Sequence, residues 1–415
     1  MQFKSVTPRY PRSTEPCFSF YTQGPLFFML GHTIALAFRG LSVYRWNNFP
    51  RIEQVSATDH IAFSLHISIL LASIIEEEKG IVFDRDYIFR KVLFSSFSTF
   101  VHSDISSEVK DQVKKKNPTI YTELENIAYG MLLSWKLPEW MKKDMQEIHD
   151  FSKQENHPYQ KEDDLIAFSK LWASYHEAYF SNEVYLGVYR PAMNVIEQKM
   201  GQPRFDLFRS YINLDPEHQN DLERFLLSMR RLQSSYRWNS MRRRYPVSVM
   251  SHLFLTSFIA YIIGNIEGKN RQEITYMMTI ALFHDIPEAI TGDIVTPTKK
   301  AIEGFEELLV TVEKELVDKY LLGYIRKYTF SSEYEKRMLD PWGQVNGKLV
   351  KLADNFSALF EAKIEASVDV EFDKVYKDLK KFLHSSPYQS VDHLFKFGID
   401  YFEDNIEDIV RIKKL

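Results

Sequence analysis

Histidines and aspartates that could bind a metal ion are concentrated in the second half of this 415-residue chain. His252 opens an apolar run, His284 and Asp285 stand side by side, and Asp354 interrupts a later apolar run. Because imidazoles and carboxylates are costly to bury alone, several of them in apolar segments indicate a shared cation. Two nitrogens and two carboxylate oxygens suit Mn, Co, Fe, Ni or Zn better than calcium. We therefore predict one divalent transition metal at these four residues, with Mg less suitable.

Each of these residues has a simpler explanation when it is taken alone. A lone histidine on an apolar helix is more often an ordinary core residue. Asp354 alone could cap a helix or form a salt bridge with Lys351 or Arg337. The joint pattern of His, then His-Asp, then Asp, each on a predicted helix, favours the metal site.

Two more carboxylates follow the His-Asp pair. Glu288 lies four residues after His284, which predicts that both side chains lie on one helical face. Thr291 and Gly292 predict the end of this helix. Asp293 is then expected just beyond the helix end.

The elements that must position these side chains are predicted to be helices. Apolar residues recur at three- and four-residue spacing, whereas alternating strand patterns are scarce. The clearest helical patterns cover residues 59–78, 251–268, 271–285 and 348–366. The sequence therefore predicts an all-α fold.

A repeat with a long period divides the chain. RWNNFPRIEQVSATDH spans residues 45–60, and RWNSMRRRYPVSVMSH spans residues 237–252. Both segments begin Arg-Trp-Asn, share Val-Ser at the same distance, and end in histidine. Such a repeat indicates two related halves. We predict tandem helical bundles over residues 1–203 and 204–415, with the boundary near Gly201.

The first half lacks most of the predicted metal ligands. Alignment of the halves retains His60 and Asp104, and it places Ser95 and Ser96 at the His-Asp positions, Thr99 at Glu288, and Lys170 at Asp354. Hydroxyls are poor ligands for such an ion, and an ammonium group repels it. Two interpretations of Lys170 remain open: it fills the cation position and neutralises Asp104, or it points to solvent in a site that has drifted.

Composition argues against several other classes of protein. A net charge of −4 gives no electrostatic basis for binding extended nucleic acid. One cysteine, Cys17, excludes an intrachain disulfide and fits a reducing compartment. The first residues have no secretory signal pattern, and the apolar runs are shorter than the roughly 20 residues of a membrane span. We therefore predict a cytoplasmic protein that does not enter a membrane.

With these motifs, the second half resembles the HD-domain metal-dependent phosphohydrolases, most closely the bacterial 5'-deoxynucleotidase (YfbR-like) branch. The resemblance covers roughly residues 225 to 400 and rests on Arg237-Trp238, His252, HDIPEAITGDIVTPTKK from His284, and Asp354. The run TGDIVTPTK is its most specific part, because that branch carries T-G-D-x-x-T-P-x-K. Ser251 departs from the pattern, since the branch usually has Glu directly before the first histidine.

The resemblance implies a role for each matching residue. His252, His284, Asp285 and Asp354 would hold the metal, and Glu288 would be the general acid/base. Arg237 would contact the phosphate, Trp238 would lie against the sugar, and Asp293 would sit beside the substrate or the attacking water. The implied reaction removes phosphate from (deoxy)nucleoside 5'-monophosphates through a metal-activated water.

Two alternatives remain open on the same residues. The centre could serve a deoxynucleoside triphosphate triphosphohydrolase or another phosphoesterase, or the protein could be a nucleotide sensor with little catalysis. Because this branch commonly works as a homodimer, the two halves are expected to form an internal pseudo-dimer. Arg45 and Trp46 of the first half would then either bind a nucleotide phosphate without hydrolysis or pack the helix junction.

Overall fold

The computed structural model describes residues 30–103, 105–214, 218–294, 302–399 and 402. The architecture is all-α, as predicted: the described residues contain no β-strand, only two isolated bridges. Three features noted in the sequence lie outside the described residues, namely Cys17, Asp104 and most of the TGDIVTPTK run.

The described chain up to residue 209 contains the first set of helices. They are α1 (Leu30–Arg39), α2 (Ala57–Lys79), α3 (Arg85–His102), α4 (Ser107–Lys116), α5 (Pro118–Ser134), α6 (Glu139–Ser152), α7 (Gln160–Val184), α8 (Arg190–Met200) and α9 (Asp206–Arg209).

A second set of helices begins at residue 221. These are α10 (Asp221–Arg230), α11 (Val249–Ile266), α12 (Arg271–Phe283), α13 (Glu288–Thr291), α14 (Phe305–Tyr320), α15 (Ser331–Leu339), α16 (Gly347–Ala366), α17 (Val370–His384) and α18 (Gln389–Leu394). The four strongest sequence patterns correspond to α2, α11, α12 and α16, so these predicted helices are confirmed.

Helices α2 and α11 form the centre of the molecule. Both are long and apolar enough to cross a membrane by length and composition. Their most apolar windows are, however, 100% and 89% buried inside the protein. Apolar surface that is already removed from water by protein contacts identifies these helices as core helices.

The repeated Arg-Trp segments have the same backbone path in both halves. Tyr44 pairs with Ser56, and Tyr236 pairs with Ser248, in matching isolated bridges. Trp46 and Trp238 both lie in the left-handed region, with φ of 55° and 58°. Because non-glycine residues rarely adopt this conformation, its recurrence indicates that both segments need the same turn. The predicted repeat is therefore present in the structure.

One buried carboxylate joins the N-termini of α2 and α11. Asp59 Oδ2 accepts hydrogen bonds from the backbone N–H (2.9 Å) and hydroxyl (2.8 Å) of Ser56, the residue that caps α2. Asp59 Oδ1 accepts hydrogen bonds from the hydroxyls of Ser248, which caps α11, and Ser251 (2.7 Å). The Ser56 and Ser251 hydroxyl oxygens are 3.3 Å apart. One side chain thus supports the start of both core helices.

Other contacts hold the two sets of helices together. The Tyr261 hydroxyl on α11 donates to buried Asp144 on α6 at 2.6 Å, and Arg271 donates to the same carboxylate. Phe38 on α1 packs against Phe360 and Phe402, with ring centroids 5.6 and 5.9 Å apart. The contact between the sets therefore combines apolar packing with buried charge pairing.

Candidate metal centre

His252 lies in the first turn of α11, and its imidazole is fully buried. Its Nδ1 lies 2.9 Å from Oε1 of Glu361, a buried carboxylate on α16. Burial raises the pKa of Glu361, but Arg237 and His252 outweigh burial and hold it at about 2. A charged Glu361 accepts the Nδ1 proton, so Nε2 of His252 faces Asp354 Oδ1 at 3.0 Å.

His284 is held by a turn between two helices. Its Nδ1 lies 2.8 Å from the Ala281 carbonyl, which fixes Nδ1 as the donor. Its Nε2 is buried without a hydrogen-bond partner, 3.2 Å from Asp285 Oδ2 and 3.8 Å from Asp354 Oδ1. A nitrogen in this position can bind a cation once its proton is released.

The prediction that one helix carries both His284 and Glu288 is wrong. Helix α12 ends at Phe283, residues 284–287 form turns, and α13 starts at Glu288. Pro287 explains the break, because proline lacks the N–H of a helical hydrogen bond and disfavours helix at the preceding residue. Helix α13 ends at Thr291 with Gly292 at φ 74°, so the predicted helix end is confirmed.

The donor atoms of the predicted ligand set converge. Ligand atoms of His252, His284 and Asp285 all lie within 4.8 Å of one another. Asp354 completes the set with Oδ1, while its Oδ2 accepts a 2.7 Å hydrogen bond from Lys351. The simpler pairing with Lys351 therefore occurs, but it occupies only one oxygen. Two imidazole nitrogens and two carboxylates, with one nitrogen unpartnered, fit a divalent transition metal.

The electrostatics of this cluster favour a cation. Burial lowers the pKa of His284, but Asp285 and Asp354 outweigh burial and raise it to about 10. Burial likewise raises the pKa of Asp285, and the histidines outweigh it so that the pKa lies below its usual range. The carboxylates are therefore charged, and they stabilise positive charge between them.

Arg237 and Trp238 lie beside the cluster. Arg237 Nη1 is 3.3 Å from Asp285 Oδ2, and its Nε is 3.5 Å from Glu361 Oε2. The Trp238 indole N–H donates to the same Glu361 oxygen at 3.1 Å, and its ring meets Phe372 edge-on. The structure therefore brings Arg237 to the predicted ligands and ties the polar edge of Trp238 to Glu361.

Glu288 and Asp293 lie at the two ends of the α13 segment. Glu288 Oε2 is buried without a hydrogen-bond partner. Burial, followed by Asp285 and Asp293, raises the pKa of Glu288 well above its usual value, which favours the protonated form of its carboxyl group. Asp293 is partly buried just after Gly292, and its backbone carbonyl accepts from the Asn239 amide at 3.1 Å.

The first half contains the same histidine, glutamate, arginine and tryptophan arrangement as this site. His60 Nδ1 lies 2.7 Å from Glu177 Oε1, while Arg45 Nε and the Trp46 indole N–H donate to Oε2 at 2.8 and 2.9 Å. Sequence reasoning did not select Glu177 or its counterpart Glu361. A detectable signal was the Glu-Ala pair at the same place in both aligned segments.

The ligand positions of the first half contain no equivalent set. Helix α3 continues without a break through Ser95 and Ser96, whose hydroxyls donate to carbonyls of their own helix at 3.5 and 2.6 Å. Lys170, like Asp354, lies seven residues before the glutamate that contacts the histidine. It is partly buried, and burial, followed by repulsion from Lys91, lowers its pKa to about 8. Its predicted partner Asp104 lies outside the described residues.

The helical fold and the convergent His, His-Asp and Asp side chains define the class of HD-domain phosphohydrolases. Within that class, the chain belongs to the 5'-deoxynucleotidase YfbR-like family, whose model matches residues 34–214 and again residues 224–402. The second match contains the His252 cluster, whereas the first contains its altered counterpart. The protein is therefore an HD phosphohydrolase built from two copies of one family unit.

Curated relatives correspond to one such unit. A 5'-deoxynucleotidase of Shewanella oneidensis is 24% identical over 188 residues, which cover 43% of this chain and 93% of the relative. One from Photorhabdus laumondii is 26% identical over 197 residues, which cover 45% and 97%.

Two solved structures each align with less than half of the chain. The cyanophage S-2L HD phosphohydrolase DatZ, bound to dA and one catalytic Zn2+ ion, is 23% identical, with a TM-score of 0.32 over 44% of this chain and 96% of that one. A Listeria innocua HD-domain phosphohydrolase is 22% identical, with a TM-score of 0.34 over 46% and 89%.

Proposed function

We propose that the chain removes phosphate from deoxynucleoside 5'-monophosphates at the His252 cluster, with a divalent transition metal as cofactor. The observation that carries this proposal is the buried, unpartnered Nε2 of His284, which faces two carboxylates and lies beside His252. Family membership supports the substrate class, since the curated relatives described above are 5'-deoxynucleotidases.

The four proposed ligands are His252, His284, Asp285 and Asp354. A bound divalent ion would supply a water of lowered pKa and would polarise a phosphoryl oxygen. Glu361 keeps the Nδ1 proton of His252, and the Ala281 carbonyl keeps that of His284. Both rings therefore present Nε2 to the same point, without a change of tautomer or rotamer.

Arg237 and Glu288 are the proposed groups for the phosphate and the leaving oxygen. The guanidinium of Arg237 beside Asp285 can contact two phosphate oxygens and offset their charge. Burial raises the pKa of the Glu288 carboxyl group, which suits it to protonate the 5' oxygen as the ester bond breaks. Trp238 against the sugar and Asp293 beside the attacking water complete the proposed site.

The test is a substrate panel with Mn, Co, Zn and Mg, in which phosphate, pyrophosphate and triphosphate are measured separately. We expect phosphate release from deoxynucleoside 5'-monophosphates. Release of triphosphate from deoxynucleoside triphosphates would instead establish a triphosphohydrolase. Nucleotide binding without turnover under every metal would establish a sensor. We also expect the protein to act in the cytoplasm, where fractionation of cells would locate it.

A further inference from the structure

A cavity of about 530 Å³ lies next to Glu288 and is lined by residues of both halves. Glu288 and Ala289 of α13 form one wall. Glu53, from the first Arg-Trp segment, and Phe180, from α7, form another. The cavity therefore spans the contact between the half that has the metal ligands and the half that lacks them.

Two residues that line this cavity have buried polar atoms without hydrogen-bond partners. Arg230 is 9% exposed, and its Nη2 donates to Glu53 Oε2 at 2.7 Å. Its Nε is buried without a hydrogen-bond partner, as is Glu288 Oε2. The Arg230 guanidinium also lies 5.3 Å from the centre of the Phe180 ring. A buried donor, a buried carboxyl group and an aromatic face suit a ligand that is both flat and polar.

The equivalent position in the first half is filled by aromatic side chains. The repeat aligns Phe38 with Arg230 and Phe100 with Ala289. Phe38 is 2% exposed and packs on Phe360, while Phe100 is fully buried. A Cβ on Gly40 would lie 2.4 Å from the Phe100 ring, which leaves no room between them. Among the described residues, the space at Arg230 and Ala289 is therefore open, whereas the equivalent space at Phe38 and Phe100 is filled.

We infer that this cavity holds the base of the nucleotide substrate, and that the half without metal ligands supplies its outer wall through Phe180 and Glu53. This inference rests on the proposed function. A nucleoside must extend away from its 5' oxygen, and that oxygen is placed at Glu288. Phe180 offers an apolar face to the base, and the Glu53–Arg230 pair offers an acceptor and a donor to the polar groups of the base.

The test compares a deoxynucleoside 5'-monophosphate with p-nitrophenyl phosphate, which has no nucleoside. Phe180→Ala should raise the KM for the nucleotide roughly tenfold, within the range for a lost base–aromatic contact. It should change kcat, and the KM for p-nitrophenyl phosphate, much less. Glu53→Gln should act in the same direction with a smaller effect. Metal content, measured by elemental analysis, verifies that the variants keep the centre.

Phe382→Ala is the matched control, because Phe382 is 59% exposed on α17 and is not among the cavity residues. It should leave both KM values unchanged. Ala289→Phe, which copies Phe100 of the filled side, should block the nucleotide more strongly than p-nitrophenyl phosphate. If wild type and Phe180→Ala turn over the nucleotide with the same KM, the assignment of the cavity is overturned, while the proposed function stands. If wild type turns over no nucleotide but hydrolyses p-nitrophenyl phosphate, the proposed function fails as well.

Discussion

The two halves of this chain share one arrangement of histidine, arginine, tryptophan and glutamate side chains. They differ in the residues at the metal-ligand positions. In each half, one glutamate contacts the histidine, accepts a hydrogen bond from the tryptophan and forms an ion pair with the arginine, as Glu361 and Glu177 do. Asp354 faces the histidine in one half, and Lys170 takes its position in the other. The shared geometry therefore does not distinguish the two halves. The charge seven residues before the shared glutamate does.

The largest effect is expected from removing a ligand. Asp354→Asn should reduce metal content to background and abolish phosphate release, because an amide cannot replace the anionic oxygen. Lys170→Ala, at the matching position of the first half, should leave metal content and phosphate release within about twofold of wild type. This is expected because Lys170 does not contact the four proposed metal ligands. Metal analysis and turnover of the two purified variants provide the measurement. Loss of activity in Lys170→Ala without loss of stability would contradict the division of roles.

The shared glutamates provide a second comparison. Glu361→Gln should lower metal affinity or activity by about 10- to 100-fold, because it weakens the hydrogen bond that orients His252. Glu177→Gln makes the same chemical change beside His60, so it should alter stability but not metal affinity. Titration with Co2+ and thermal unfolding of both variants distinguish these outcomes. Equal losses of affinity would mean that the first half also takes part in metal binding.

A smaller effect is expected where the halves meet. Asp59→Ala removes the acceptor of the Ser248 and Ser251 hydroxyls and should lower the free energy of unfolding by about 2 kcal/mol. Chemical denaturation measures this loss, and the metal content of the folded protein should remain unchanged. Asp84→Ala, which removes an ordinary cap of α3, is the control for a cap within one half. If both variants lose the same free energy of unfolding, Asp59 contributes no more than a helix cap within one half.

The smallest expected effect concerns pH. The pKa of Lys170 is about 8 in the folded protein, below its usual 10.5, chiefly because of burial. Below pH 8 both folded and unfolded chains hold the proton, so the folded state carries the full cost of a buried charge. Between pH 8 and 10.5 the unfolded chain holds more protons, so stability contributed by this group rises with pH. Lys170→Met should be more stable at pH 7 and lack this rise. If the melting temperatures of wild type and Lys170→Met depend on pH in the same way, this expectation is contradicted.

The sequence predicted the all-α fold, the repeat and the convergence of His252, His284, Asp285 and Asp354, because helical periodicity and spacing are local signals. It did not predict the break between His284 and Glu288, although Pro287 was visible. The aligned Glu-Ala pairs mark Glu361 as a shared position, but its contact with His252 and the role of Asp59 are not readable from the sequence. Each depends on a partner more than a hundred residues away, and buried hydrogen bonds of that kind follow from packing.

The cap formed by Asp59 makes the contact between the two halves chemically unequal. Asp59 occupies in the first half the aligned position of Ser251 in the second half. The contact therefore combines one carboxylate with the hydroxyl groups of Ser56, Ser248 and Ser251. The two halves repeat one fold, but the hydrogen bonds between their core helices are asymmetric.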